Sequence, residues 1–171
     1  KLRHWQQQLS TDQFKVGIAW AGSPKHANDR QRSCSLDLFE PLAQLGEIAL
    51  YSLQRDLPDI RTRQQLDTLG IQHIADQFVS FADTSAALGN LDLIITVDTA
   101  VLHLAGALGL ATWGLIPYSP DWRWMLQRDN SPWYPTLRLF RQSRPGDWQS
   151  VFKRISLELP AAMTRAGQGQ G

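Results

Sequence analysis

Between Asn90 and Pro117 the chain reads NLDLIITVDTAVLHLAGALGLATWGLIP, and few folds accommodate such a run. Two continuously apolar stretches, Leu93 to Val97 and Ala111 to Ile116, flank a short helical segment from about Ala100 to Leu108 that stops at Gly109. Strands that are apolar at every position, rather than at alternate ones, belong to parallel sheets covered on both faces. The spacing predicts a strand, a sharp turn at Asp98-Thr99, a helix and a second strand. Asp98, Thr99 and His103 are the only polar side chains between Val97 and Leu110. They fall where the carboxyl end of a strand meets the amino end of a helix. Open α/β sheets bind ligands there, because backbone N–H groups and the helix dipole are directed at that edge.

The rest of the chain repeats the alternation. Strands are expected at Phe14 to Trp20, Ile48 to Leu53, Ile71 to Ile74 and Leu137 to Phe140, in addition to the central pair. Helices are expected after Ser35 or Asp37 with Pro41 in the first turn, from Asp59 to Leu69 with a Gly70 stop, from Ser80 to Leu91, and from Asp147 to Leu159. Strands alternating with helices imply βαβ units, and six of them with right-handed crossovers make an α/β, Rossmann-like, doubly wound parallel sheet. The expected organisation is a linker helix over residues 1–13, one nucleotide-binding domain over 14–160 and a flexible tail over 161–171. Because the first residue is Lys1, the chain is expected to be a piece of something longer.

Several function classes drop out. No G-x-G-x-x-G follows the first strand and no G-x-x-x-x-G-K-[ST] loop occurs, which argues against a dehydrogenase or an NTPase. A net charge of +1 argues against a nucleic-acid partner held by bulk electrostatics. The four histidines are scattered and Cys34 is the one cysteine, so neither metal-ligand spacing nor an internal disulfide is expected. No G-x-S-x-G nucleophile motif occurs. No run approaches the roughly 18 apolar residues of a membrane span, and there is no signal peptide, so the expected setting is cytoplasmic.

The candidate site residues follow from this layout. Thr99 and His103 are four apart and share a helix face, where a hydroxyl, free N–H groups and an imidazole can bind phosphate or ribose. The competing reading makes Asp98 or Thr99 an ordinary helix cap and His103 a satisfied, partly buried side chain. Gly106 favours the first, since a mid-helix glycine costs roughly 1 kcal/mol against alanine unless something packs closely on it. In the loop after the first strand, Gly22 permits close backbone approach, and Lys25, His26, Arg30 and Arg32 bring positive charge to the same edge. The competing reading there is a solvated charged loop. Gln54, Arg55 and Asp56 end the second strand at that edge, within reach of a base or ribose. Asp121-Trp122-Arg123-Trp124 reads either as an aromatic platform for a sugar or cation or as a loop pinned to its own core.

Taken together, LDLIITVDTAVLHLAGALG and ATWGLIP resemble the donor-binding half of GT-B glycosyltransferases, closest to the ADP-heptose transferase-like family and its D-[ST]-[GA]-x-x-H-[LI]-A-[GA]-A-[LM]-G pattern. With GIAWAGSPKHANDRQRSCSL, SPDWRWML, SPWYPTLRLFRQ and GDW, the chain resembles the glycosyltransferase-like domain at the carboxyl end of bacterial tetratricopeptide-repeat proteins. The resemblance runs from about Val16 to Leu159. It implies the carboxyl-terminal half of a GT-B fold that holds a nucleoside-diphosphate sugar at the carboxyl edge of the sheet, with no metal and no further cofactor. Asp98 and Thr99 would match the family's donor-binding turn, His103 its helix histidine, Lys25 its phosphate-contacting lysine and Gln54 its nucleoside contact. One departure is Ala100, where heptose transferases often carry glycine. The implied activity is sugar transfer, with the acceptor site and the base in an amino-terminal GT-B half, beside a repeat domain. The alternative is a non-catalytic nucleotide- or protein-binding module of a repeat protein, and a sugar-nucleotide epimerase ranks last.

Overall fold

The computed structural model describes residues 1–23, 29–55, 57 and 59–168. The expected loop residue Lys25 therefore lies outside the described residues, as do His26 and Asp56. In chain order, helix α1 (Leu2–Gln8) precedes strand β1 (Phe14–Ala19), and the short helix α2 (Asp29–Arg32) follows it. A 3-10 turn (Leu36–Phe39) leads into α3 (Glu40–Ala43), then β2 (Ile48–Ser52), α4 (Ile60–Thr68) and β3 (Gln72–His73). Beyond these come α5 (Phe81–Leu88), β4 (Leu93–Val97), α6 (Ala100–Ala107) and β5 (Thr112–Ile116). The chain continues with β6 (Leu137–Arg141) and α7 (Trp148–Gln168).

The six strands form one sheet in the order β3-β2-β1-β4-β5-β6, with every neighbouring pair parallel. β1 and β4 lie side by side in the middle, paired from Val16 with Leu93 to Ala19 with Thr96. The chain leaves β1 towards β2 on one side and leaves β4 towards β5 on the other. The two following loops therefore diverge and open a crevice between them at the carboxyl edge.

Local chemistry explains the boundaries. Asp59 accepts the Thr62 N–H at 2.8 Å and Ser80 accepts the Asp83 N–H at 3.3 Å, capping α4 and α5. Gly70 and Gly109 follow the ends of α4 and α6 at φ of 66° and 67°, a conformation that glycine adopts without strain. Two helices differ from expectation. The segment after Ser35 is a 3-10 turn followed by a separate short helix, because Pro41 has no N–H to give the carbonyl one turn back. The last helix does not stop at Leu159 but runs through Pro160 to Gln168, so the segment read as a tail begins inside it.

Both sheet faces are covered. On one, Val16, Ile18, Leu93, Ile95 and Val97 pack against Phe39 and Leu42, Leu66 of α4, and Val151, Phe152 and Ile155 of α7. On the other, Ala19, Tyr51 and Ile94 meet Ala86, Ala87 and Leu88 of α5 and Ala105 of α6. α1 joins this second layer. Its Trp5 is 2% exposed and meets Phe78 edge to face at 5.5 Å, and Leu9 just beyond the helix is equally buried. Cys34 packs at the rim of the first layer, and although the residue as a whole is half-buried, burial of its thiol pushes the pKa up to about 12. It stays protonated at neutral pH and suits a packing role.

Truncating a buried tryptophan costs about 3–5 kcal/mol. Trp5→Ala is therefore expected to lower unfolding stability by about that amount in urea titrations. A change under about 0.5 kcal/mol, as at exposed sites, would show that α1 does not belong to the domain core.

Candidate functional site

The crevice at the β1/β4 switch point holds a cavity of about 500 Å³. It is walled by Ala21 and Gly22 after β1, by Gln54 and Arg55 after β2, and by the segment from Asp98 to Val101 with His103 after β4. Of the expected site residues, Gly22, Gln54, Asp98, Thr99 and His103 line it together. Arg30 does not: it is exposed and does not contribute to the lining, whereas Arg32, two residues on, does. Arg55 and Arg123 add two further guanidinium groups.

Thr99 occupies the N-cap position of α6 with extended backbone (φ −139°, ψ 175°), yet its side chain makes no capping hydrogen bond. Its hydroxyl lies 3.3 Å from that of Thr96, whose own proton goes to the Val97 carbonyl. The first N–H groups of a helix have no partner within it. Here Ala100 and Val101 present that turn to the cavity without a side-chain cap. The ordinary-cap reading of Asp98 and Thr99 does not describe this helix. Arg32, Arg55 and Arg123 line the cavity beside Asp98, and Arg32 and Arg123 are themselves paired with Asp29 and Asp121.

The rim is braced internally. Gln54 accepts the Ala21 N–H at 3.0 Å and donates to the Arg55 carbonyl at 3.3 Å, so its amide ties β2 to the loop after β1. The Gly22 N–H is taken by the Ser33 hydroxyl at 3.1 Å. A Cβ at Gly22 would meet the ends of the Asp29 and Arg32 side chains, which would have to shift to admit it. Arg32 bonds Asp29 at 3.3 Å and donates to the Asp98 carbonyl at 3.0 Å, strapping α2 to the end of β4.

His103 stands one turn into α6 with its side chain 32% exposed. Its Nε2 is 3.5 Å from Asp98 Oδ1, its Nδ1 is 3.1 Å from the Tyr134 hydroxyl, and its ring stacks on Trp124 at 5.3 Å. Burial alone would raise the Asp98 carboxyl. Interaction with His103 and the nearby Trp124 indole N–H, with the charge of Arg32, outweighs burial and holds the pKa below the usual carboxylate value. The buried Trp124 indole N–H is near enough to contribute to this but makes no hydrogen bond of normal geometry. An ionised Asp98 can only accept, so a neutral His103 carries its proton on Nε2 and accepts the Tyr134 proton on Nδ1. Among the described residues no group of three or more His, Cys, Asp or Glu is placed to hold a metal.

Tyr134 was not foreseen from the sequence, being 31 residues from His103 along the chain. Its trace was Gly106. A Cβ there would lie 2.5 Å from the Tyr134 ring, which is the close packing that the mid-helix glycine called for. Arg123 and Trp124 come from the aromatic run whose two readings stood open. Arg32 was one of several charges in its loop, with nothing in the spacing to single it out.

No family model matches the chain. Protein FlbA of Caulobacter vibrioides is 26% identical over 165 residues, which is 93% of this chain and 27% of that protein. The chain thus spans about a quarter of the length of that curated relative. Among solved structures it is similar to the E. coli ADP-heptose lps heptosyltransferase II, with a TM-score of 0.66 at 16% identity, over 99% of this chain and 52% of that one. It is similar also to the E. coli heptosyltransferase WaaC with ADP, with a TM-score of 0.56 at 13% identity, over 94% of this chain and 48% of that one. The fold is the Rossmann-like one of the GT-B heptosyltransferases. At these identities the likeness shows the fold alone.

Replacing a helix-interior glycine by alanine ordinarily gains about 1 kcal/mol. At Gly106 the new methyl meets the base of the Tyr134 ring, which cannot withdraw without releasing His103. Gly106→Ala is expected to destabilise by about 1–3 kcal/mol in chemical denaturation. A gain would show that Tyr134 is not seated on α6.

Proposed function

We propose that the chain is the donor-binding half of a glycosyltransferase and that its cavity holds a nucleoside-diphosphate sugar. The observation that carries this reading is the uncapped amino end of α6, opening at the switch point among three guanidinium groups. Backbone N–H groups, the helix dipole and fixed cations together make a site for a diphosphate without a metal. The fold supports the reading, because the similar heptosyltransferase WaaC was solved with ADP.

In the proposed reaction the bond from the anomeric carbon to the diphosphate oxygen breaks, and negative charge develops on the departing diphosphate. The α6 amino end, Arg32 and Arg55 stabilise that charge where it forms, a preorganised electrostatic effect. Lys25, in the loop after β1, belongs to the same proposal as a phosphate contact. Asp98 serves by orienting His103, its carboxylate being engaged there rather than offered to an anion. Acceptor site and base belong to a second Rossmann half, beside a repeat domain. The similar solved structures are about twice as long as this chain, in keeping with such a partner half.

Calorimetry with ADP and UDP tests the reading. At least one is expected to bind, more weakly as salt is raised. Losing a hydrogen bond to a charged group predicts binding between about 10- and 100-fold weaker in Arg55→Ala. Absence of binding by either nucleotide, or binding indifferent to Arg55→Ala, would overturn it. The 171-residue chain alone is expected to transfer no sugar, and robust turnover would place acceptor site and base within it.

A further inference from the structure

A second cleft of about 370 Å³ opens beside the first, lined by His103, Trp122, Arg123, Trp124, Trp133 and Tyr134. His103 and Arg123 wall both cavities, so the two adjoin. Trp122 and Trp133 are 73% and 56% exposed, an unusual outlay of indole surface beside a polar site. The loop that carries them is held in place. The Trp133 indole N–H donates to the Arg123 carbonyl at 3.2 Å, and Arg141 bonds the carbonyls of Trp124 and Arg128. Met125 and Gln127 hold positive φ (53° and 56°) just beyond Trp124, a local cost sustained only when surroundings fix the backbone. The loop is thus pinned to the core and still presents two indoles outward.

We infer that this aromatic cleft is the subsite for the glycosyl unit of the donor, a pyranose whose C–H face stacks on Trp122 or Trp133 while its hydroxyls meet Arg123. The inference rests on the donor-site reading and adds to it which end of the ligand lies where. Sheet order carries the assignment. Gln54 and Arg55 follow β2, Gly22 follows β1, Thr99 follows β4 and the tryptophan run follows β5, and these four strands are consecutive neighbours. With strands about 4.8 Å apart, the row is about 15 Å long, the order of an extended nucleoside–diphosphate–hexose. The diphosphate belongs at the α6 amino end in the middle, which leaves the β2 end for the nucleoside and the β5 end for the sugar. Indoles give a ring an apolar face with polar groups at the edge. Arg123 is bound to Asp121 through Nε at 3.0 Å, so its terminal nitrogens carry further donors for hydroxyl groups.

The test compares affinities within each protein, by calorimetry on ADP against ADP-glucose and UDP against UDP-N-acetylglucosamine. In the wild type at least one sugar nucleotide is expected to bind about tenfold more tightly than its own diphosphate. In Trp122→Ala and Trp133→Ala that ratio is expected to collapse towards one for at least one variant. Both side chains are exposed, so the variants are expected to keep the wild-type circular dichroism. If the diphosphates bind but the sugars add nothing, or if the ratio survives in the Trp122→Ala/Trp133→Ala double variant, the subsite is overturned and the donor reading stands. If no nucleotide binds, both fall together. Loss of a protein contact by the double variant, with the ratio intact, would instead mark the cleft as a protein interface and likewise overturn the subsite.

Discussion

The structure depends on a reversal of strand order at β1 and β4. A parallel sheet forces each crossover over one face or the other, and at one pair of strands the crossovers must part company. At that pair the loops diverge, and the edge of the sheet is left open although both faces are sealed by apolar packing. Everything polar in the site is assembled around this gap. The strand ends deliver Gly22, Gln54 and Thr99 to its rim, and α6 begins in it with nothing capping its first turn. An α6 capped by its own Thr99 would gain stability but offer less to an anion.

His103 shows how packing gives a single imidazole a defined orientation. Tyr134 holds one nitrogen, Asp98 faces the other, and Trp124 lies flat against the ring. Tyr134 in turn requires the absence of a side chain at Gly106. The chain accepts a helix-weakening glycine to seat an aromatic ring that aims a histidine. Local propensity is overruled in favour of geometry at the functional edge, where such exceptions are expected to concentrate.

The six strands and the central turn were legible because apolar runs and glycine stops are local signals. The Asp98-Thr99-His103 cluster was legible for the same reason. What the sequence did not reveal was pairing at a distance. Nothing near Arg32 distinguishes it from Arg30, because its role is set by the carbonyl of Asp98 on another strand. Tyr134 reads as one aromatic among many until α6 is in place. The extent of the last helix was misjudged at Pro160, where an adverse local residue is tolerated inside a helix whose buried face packs on the core.

The braces at the rim have a consequence for the order of assembly. Gln54 to Ala21 and Arg32 to Asp98 close loops of 33 and 66 residues, and neither bond exists until the strands it joins are side by side. Contacts so remote in sequence form late, after the chain entropy of closing them has been overcome by the sheet itself. The pocket is in this sense the last stitch of the fold. Its amides belong to the set that exchanges with solvent through partial opening, ahead of those in the buried strands beneath.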